Sequence, residues 1–434
     1  GLNDRPNPAK TLLAATAHLF AIVASILTAP LLIARAVGLD ADATQYVISA
    51  SLVVSGIATF IQTFRIGIVG SGLLAVQGTS FAFIGTMAYA ASQLPLATPQ
   101  EELLGILLGT AAVGGGMVVV LSFFLNTVRK VITPTVTGVT ICLLGLSLLW
   151  SAMNNSWRLL SSAGQGDVLP LAFEWLFTFT TIALLATRKN PYARLTCVPA
   201  GLFAGLLLAA LLRGWSVPAA ELDQPLFFLQ LMPVPLKFSP VALMILLPIF
   251  LVSLTETIGD ITATSLVSKQ PIEGKAYFRR LRGGVLGDGF NTMLASLFGA
   301  FPNTTFSQNN AVIRLTSIAS RQVGYVLAAL LVVLGSIPAV SSLVVNIPGS
   351  VLNSTTAFLF AMIAYTGLEI VLVNAKKKGL RVLIFSTCSA FGLIFVPQLL
   401  LNVGVETPAY ASILMGFPVA TGAVIAILAD KLIR

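Results

Sequence analysis

Charge is the scarcest property of this sequence. Asp, Glu, Lys and Arg together supply 9% of its 434 residues, where a soluble domain carries about a quarter, so water is excluded as the main solvent. Histidine occurs once, as His18. Cysteine occurs three times, as Cys142, Cys197 and Cys388, each inside an apolar run and none near another. That scatter excludes a metal-ligand spacing and a disulfide framework, and each cysteine reads as a small apolar packing residue. No interval between the apolar runs is long enough for a soluble domain. No secretory signal is expected either, because the first apolar run leads at once into another of spanning length.

What the sequence has instead is apolar length, with 56% hydrophobic side chains. At roughly 20 residues per crossing, the runs predict an all-α integral membrane protein of fourteen spans: 11–34, 45–64, 67–92, 102–126, 131–152, 168–187, 195–212, 240–266, 284–301, 303–320, 324–343, 350–373, 381–399 and 408–429. An even number puts both termini on one side. The termini and loops of that side hold 20 of the 25 basic residues, whereas Arg35, Arg158, Arg213 and Lys237 fall opposite and Arg314 falls inside a span. This is the positive-inside bias, so both termini are expected in the cytoplasm. The net charge of +9 therefore reads as topology and not as a nucleic-acid surface.

Two polar patches interrupt the apolar runs seven spans apart. Span three reads Gly78-Thr79-Ser80-Phe81-Ala82-Phe83, and span ten reads Asn303-Thr304-Thr305-Phe306-Ser307-Gln308. Upstream, Ser55-Gly56-Ile57-Ala58-Thr59 echoes Asp288-Gly289-Phe290-Asn291-Thr292 in the same order. A shift of seven spans reverses orientation, so the echo predicts a 7+7 inverted repeat, the signature of a secondary transporter. Non-helical backbone survives at membrane depth only inside protein or beside a wet cavity. With Gly70, Gly72 and Gly78 before one patch and Pro302 before the other, a short extended segment is expected in spans 3 and 10, each running into a half-helix. The two half-helix N-termini would aim free N–H groups at the midplane. The plainer alternative is Thr/Ser packing between helices.

Ionisable groups inside a membrane are costly and usually functional. Glu256 and Asp260 lie in span eight at i,i+4, on one helical face. Asp288 lies in span nine, His18 in span one, and Gln308 and Asn309 follow the tenth-span patch. A carboxylate at Glu256 can accept N–H bonds from a planar base. Gln308 carries a donor and an acceptor that match an adjacent C=O and N–H. Phe81 or Phe306 can stack on the ring. Asp260 and Asp288 are candidates to bind a proton in one state and release it in the other. Each has a structural alternative: His18 as an interhelical hydrogen-bond partner, Asp288 as a cap or brace, and Asp260 as the group that orients Glu256. Glu174 and Glu369 lie near span ends, where they can reach the interface, and are assigned nothing.

These residues resemble those of a family. Gln308-Asn309-Asn310-Ala311-Val312-Ile313-Arg314-Leu315-Thr316 is similar to the signature of nucleobase–ascorbate transporters, and Glu256 through Thr264 is similar to their eighth-span motif. His18-Leu19-Phe20 and Gln77-Gly78-Thr79-Ser80-Phe81 resemble the motifs of spans one and three. In detail the chain is most similar to the bacterial xanthine and uric acid permease branch. The resemblance implies a proton-coupled symporter that imports a purine base across the inner membrane. It implies a core domain of residues 11–130 and 240–345 that slides as an elevator against a gate domain of residues 131–239 and 346–434. It implies substrate contacts by Glu256, Gln308, Phe81, Ser307 and Asn309, and proton-linked roles for Asp260, Asp288 and His18. It implies a homodimer through the gate, surrounded by lipid, with no metal and no cofactor beyond the proton. The chain departs from the signature at Ala311, where Gly is usual, and at Ser317, where Arg, Lys or Gly is usual.

Uracil or another nucleobase is the alternative substrate within the family, but Gln308 and Asp260 stand where the uracil branch tends to carry Glu and His. Ascorbate with sodium is a further option. A related carrier of an inorganic anion or dicarboxylate would not place Glu256 in the pocket. An intramembrane aspartyl protease built on Asp260 and Asp288 would be an enzyme of another class. Such proteases show Gly-any-Gly-Asp, and here Val285 and Leu286 precede Gly287-Asp288.

Overall fold

The computed structural model describes all residues except 96, 128–132, 165, 217–224, 403–417 and 434. The start of the expected last span, together with Arg129, Lys130 and Arg434, lies outside the described residues.

The chain is built from helices. The first two, α1 (Pro8–Val37) and α2 (Ala41–Phe64), show why they begin and end where they do. Asn7 accepts the Ala9 amide ahead of Pro8 at the first helical position, and Gly38 ends α1 with φ 79°. Asp40 then caps α2 by accepting the Ala43 amide at 2.8 Å. Such caps satisfy the orphan donors of a first turn. Strand β1 (Gln77–Thr79) and the short α3 (Phe83–Ser92) follow, then α4 (Gln100–Phe123), α5 (Pro134–Ser162), α6 (Val168–Ala186), α7 (Pro191–Leu195) and α8 (Cys197–Arg213). The second half runs α9 (Pro240–Val267), α10 (Gly274–Leu297), β2 (Asn303–Thr305), α11 (Gln308–Thr316), α12 (Arg321–Gly335), α13 (Pro338–Val345), α14 (Gly349–Asn402) and α15 (Pro418–Leu432). Among the described residues, seven helical segments are long and apolar enough to cross a membrane, and the pair α12–α13 makes an eighth.

Two expected spans take another form. The run 324–343 breaks between α12 and α13 with a bend of 71°, because Pro338 has no N–H to continue the helix. The runs 350–373 and 381–399 are joined in the 54-residue α14. At 1.5 Å per residue it extends about 81 Å along its path, far beyond a hydrocarbon core of about 30 Å.

Packing follows the halves. α12 lies along α2, α10 along α4, and α14 along α5. The α5–α14 contact is close because both helices offer glycine. A Cβ on Gly145 would stand 2.2 Å from the Ala364 nitrogen, and one on Gly367 would stand 2.2 Å from the Cys142 nitrogen. A large apolar cluster joins α1, α3, α4, α9 and α12, and a separate one forms among Val139, Leu143, Val371, Val382 and Ala426. Trp157, Leu169, Phe203 and Leu211 are largely exposed, as expected of surface that faces lipid.

The chain crosses itself at β1 and β2. They pair antiparallel with Gln77 opposite Thr305, Gly78 opposite Thr304 and Thr79 opposite Asn303. The ladder continues through Ser80 N to Pro302 O and Phe306 N to Val76 O, both 2.9 Å. Each strand thus satisfies the other's backbone where lipid cannot. α3 and α11 have ten and nine residues, about 14–15 Å each, half of what a crossing needs.

Candidate functional site

The site forms where the two strands hand over to the two half-helices. Gly78 is required there: a Cβ on it would lie 2.2 Å from Cε2 of Phe306. That ring meets Phe81 edge-on at 6.3 Å, and Phe81 meets Phe360 edge-on at 5.6 Å. Phe81 and Phe306 are almost fully buried, so the aromatic row walls the site from one side. At the start of α11, among the described residues, the amides of Ser307, Gln308 and Asn309 donate to no backbone carbonyl. They are the free N–H groups of a helix N-terminus.

α9 passes beside β2 and α11 and brings the acidic groups. Glu256 and Asp260 lie deep in the protein and close enough to interact, yet both keep accessible surface. Asp260 accepts a hydrogen bond from Thr305 Oγ1 at 3.2 Å. Among the described residues no side chain pairs with Glu256. Gln308 and Ser307 are half-buried, and the Gln308 Oε1 is enclosed without a protein partner. The site therefore offers a free carboxylate, a free amide, unpaired backbone donors and a wall of rings. That set suits a planar molecule with both N–H and C=O edges.

Other expected residues sit behind this surface. Asp288 is buried on α10, where Thr257 donates to Oδ2, while Oδ1 has no partner of good geometry although Gln77 and Thr304 lie near. Asn309 is buried, and its Nδ2 donates to the Leu74 carbonyl, so the amide braces α11 against the stretch before β1. His18 is fully buried on α1 with Asn309 beside it, though neither ring nitrogen makes a hydrogen bond of good geometry. Arg314 is exposed on α11.

Several partners escaped sequence reasoning. Thr257, Thr305 and Thr264 hold Asp288, Asp260 and, at 2.8 Å, Asn310. The Thr/Ser density of span eight was the available signal. Glu174, expected to reach the interface, is instead fully buried and forked by Arg213 through Nε at 2.6 Å and Nη2 at 2.8 Å. Among the described residues, no group of three or more His, Cys, Asp or Glu could hold a metal ion.

Residues 9–400 match the model of the Permease family. Xanthine permease XanP of Escherichia coli strain K12 is 36% identical over 98% of this chain and 92% of its own length. Xanthine permease XanQ of the same strain is 36% identical over the same shares. A uric acid-xanthine permease of Emericella nidulans is 31% identical over 94% of this chain and 77% of its own length. Among solved structures, the transmembrane domain of a cyanobacterium bicarbonate transporter, BicA, aligns with TM-score 0.59 at 13% identity, covering 96% of this chain and 97% of that one. SLC26A9 aligns with TM-score 0.62 at 12% identity, covering 97% and 65%. At such identities the structural likeness speaks for the fold alone.

Proposed function

Because the chain belongs to the nucleobase–ascorbate transporter family and is a permease and not an enzyme, we propose that it is a proton-coupled symporter importing a purine base, xanthine or uric acid. The observation that carries this reading is the unpaired set at the strand–half-helix junction: Glu256 without a partner, the Gln308 Oε1 enclosed without one, and Phe81 and Phe306 beside them. Glu256 accepts ring N–H groups, Gln308 matches an N–H/C=O edge, Ser307 adds its backbone amide, and Phe81 packs on the ring. Asn309 acts through the position of α11. Asp260 and Asp288 carry the proton-linked step, and His18 tunes Asn309. The names of the relatives, xanthine permeases and a uric acid-xanthine permease, support the substrate.

The architecture in this reading is fourteen spans in a 7+7 inverted repeat. The contacts support it: the pairs α2–α12 and α10–α4 exchange when spans are shifted by seven, whereas β1–β2 and α5–α14 map onto themselves. Residues 11–130 and 240–345 form the core, and residues 131–239 and 346–434 form the gate. The core moves as an elevator, and the gate carries a homodimer contact in the inner membrane with both termini cytoplasmic. A bare inorganic anion, the rival suggested by fold likeness, would face Glu256 and Asp260 together.

The test is uptake of labelled xanthine into proteoliposomes with and without an inward proton gradient, with excess unlabelled urate or uracil as competitor. Gradient-driven uptake blocked by urate but not by uracil is expected. Accumulation of uracil or an anion instead would overturn the substrate. Xanthine uptake indifferent to the gradient would remove Asp260 and Asp288 from the coupling step.

A further inference from the structure

A cavity of about 730 Å³ opens between α1, α3, α5 and α14, outside the cluster of site residues. Its lining includes Arg35 of α1 and Arg158 of α5, with Asn155, Asn353 and Thr356 nearby, and no acidic side chain. The Arg35 Nη2 donates to the carbonyls of Val345 at 3.0 Å and Ile347 at 3.2 Å, which orient the guanidinium without cancelling its charge. Arg158 is exposed and makes no ion pair among the described residues.

Two features tie this cavity to the site. Phe360 lines the cavity and packs edge-on against Phe81, so the cavity ends at the ring that walls the site. Ile84 of α3, three residues beyond Phe81, lines it too. The charges are also out of place for topology. Arg35 and Arg158 are among the few basic residues assigned to the non-cytoplasmic side, where the positive-inside bias disfavours them.

We infer that this cavity is an electropositive antechamber that receives an oxopurine in its anionic form, with Arg158 and Arg35 as its anion ligands and the Phe81–Phe360 contact as its inner door. The inference rests on the purine-symport reading and adds a second site to it. A concave surface of one sign with low-dielectric walls raises the local concentration of a counter-ion. The guanidinium fork matches a carbonyl oxygen beside a deprotonated ring nitrogen, and it stacks on flat rings. An anion passing on to Glu256 needs a cation beside it. The co-transported proton is that cation, so one anion and one proton move together without net charge.

The experiment is urate uptake into proteoliposomes at neutral pH, where urate is an anion, by wild type, Arg158→Gln, Arg158→Lys and the exposed control Arg188→Gln. Arg158→Gln raises the urate KM about threefold to tenfold with the maximal rate unchanged, Arg158→Lys, which keeps the charge but not the fork, recovers only part of it, and Arg188→Gln matches wild type. The wild-type KM also rises between about 20 mM and about 300 mM salt, and that dependence flattens in Arg158→Gln. An unchanged KM and salt dependence in Arg158→Gln, with normal wild-type uptake, overturns the antechamber and leaves the transport reading standing. If the wild type carries no purine, the transport reading falls. The cavity is then judged by equilibrium binding of labelled urate to purified protein, where equal binding by wild type and Arg158→Gln overturns it.

Discussion

Removing Arg213 should destabilise the protein more than removing the charge of the residue it pairs with. The Glu174 side chain is 0% exposed and that of Arg213 31%. Ser350 Oγ, in the first turn of α14, also donates to Glu174 Oε2 at 2.5 Å. Three helices, α6, α8 and α14, thus meet on one carboxylate. Breaking a buried pair from one side leaves an uncompensated charge, which costs about 3–5 kcal/mol. Arg213 keeps some access to solvent, so the cost falls at or just below that range, about 2–3 kcal/mol for Arg213→Ala. Glu174→Gln retains an acceptor for Ser350 and leaves only the accessible cation unpaired, costing about 1–2 kcal/mol. The double variant no longer buries a lone carboxylate. Thermal unfolding of the purified protein in detergent should therefore rank wild type first, Glu174→Gln second, the double variant third and Arg213→Ala last. A double variant that falls below Arg213→Ala by the full cost of Glu174→Gln would show the sites to be uncoupled, and would refute the reasoning.

Three further outcomes are expected. Glu256→Gln loses one or two charge-assisted hydrogen bonds to substrate, each worth about 1.5–3 kcal/mol, so purine uptake should fall at least tenfold while membrane expression and size-exclusion behaviour stay normal; near-normal uptake would remove Glu256 from the site. Gly78→Ala places a Cβ 2.2 Å from the Phe306 ring and 3.0 Å from Ile26 Cγ1; uptake should be lost, with partial recovery when Phe306→Ala is added, and a fully active Gly78→Ala would contradict the close approach. Ser317 holds the left-handed C-cap of α11 at φ 56°, where glycine carries no Cβ penalty. Ser317→Gly should therefore stabilise by about 0.5–1 kcal/mol, read as a raised unfolding midpoint.

Membrane character was legible because it is a bulk property: charged residues make up only 9% of 434, which leaves one solvent. The polar patches at Gly78 and Asn303 were legible because Thr and Ser stand out in an apolar run, and these patches hold the residues that pair as β1 and β2. The register of that pairing was not, since it joins residues more than 200 positions apart and no local pattern encodes it. Asn309 was expected among the substrate contacts, and the bond its Nδ2 makes to the Leu74 carbonyl, 235 positions away, is one that no local pattern encodes. Glu174 was dismissed by its place near a span end, although span position does not report which neighbour a side chain meets. Its partner Arg213 lies 39 positions away. The continuity of α14 was hidden by a run of lysines that reads as a loop in the sequence and is helical in the structure.

The carboxylates are tied in a way that bears on motion. Thr257 of α9 donates to Asp288 of α10, Thr305 of β2 donates to Asp260 of α9, and Thr264 of α9 donates to Asn310 of α11. Each tie crosses from one element to another, and all lie within 240–316. Breaking the Thr257–Asp288 or the Thr264–Asn310 tie would orphan a group away from water, which costs about 1–3 kcal/mol. Among the described residues, by contrast, α9 meets α5 of the gate without a side-chain hydrogen bond between them, and a Cβ on Gly259 would stand 3.7 Å from Thr137 Cγ2. A segment that carries a substrate across a membrane must keep its polar site intact while it slides against apolar surface. In the proposed elevator, α9, α10, β2 and α11 should accordingly move as one body. Cross-linking α9 to β2 should therefore leave transport intact, and cross-linking α9 to α5 should stop it.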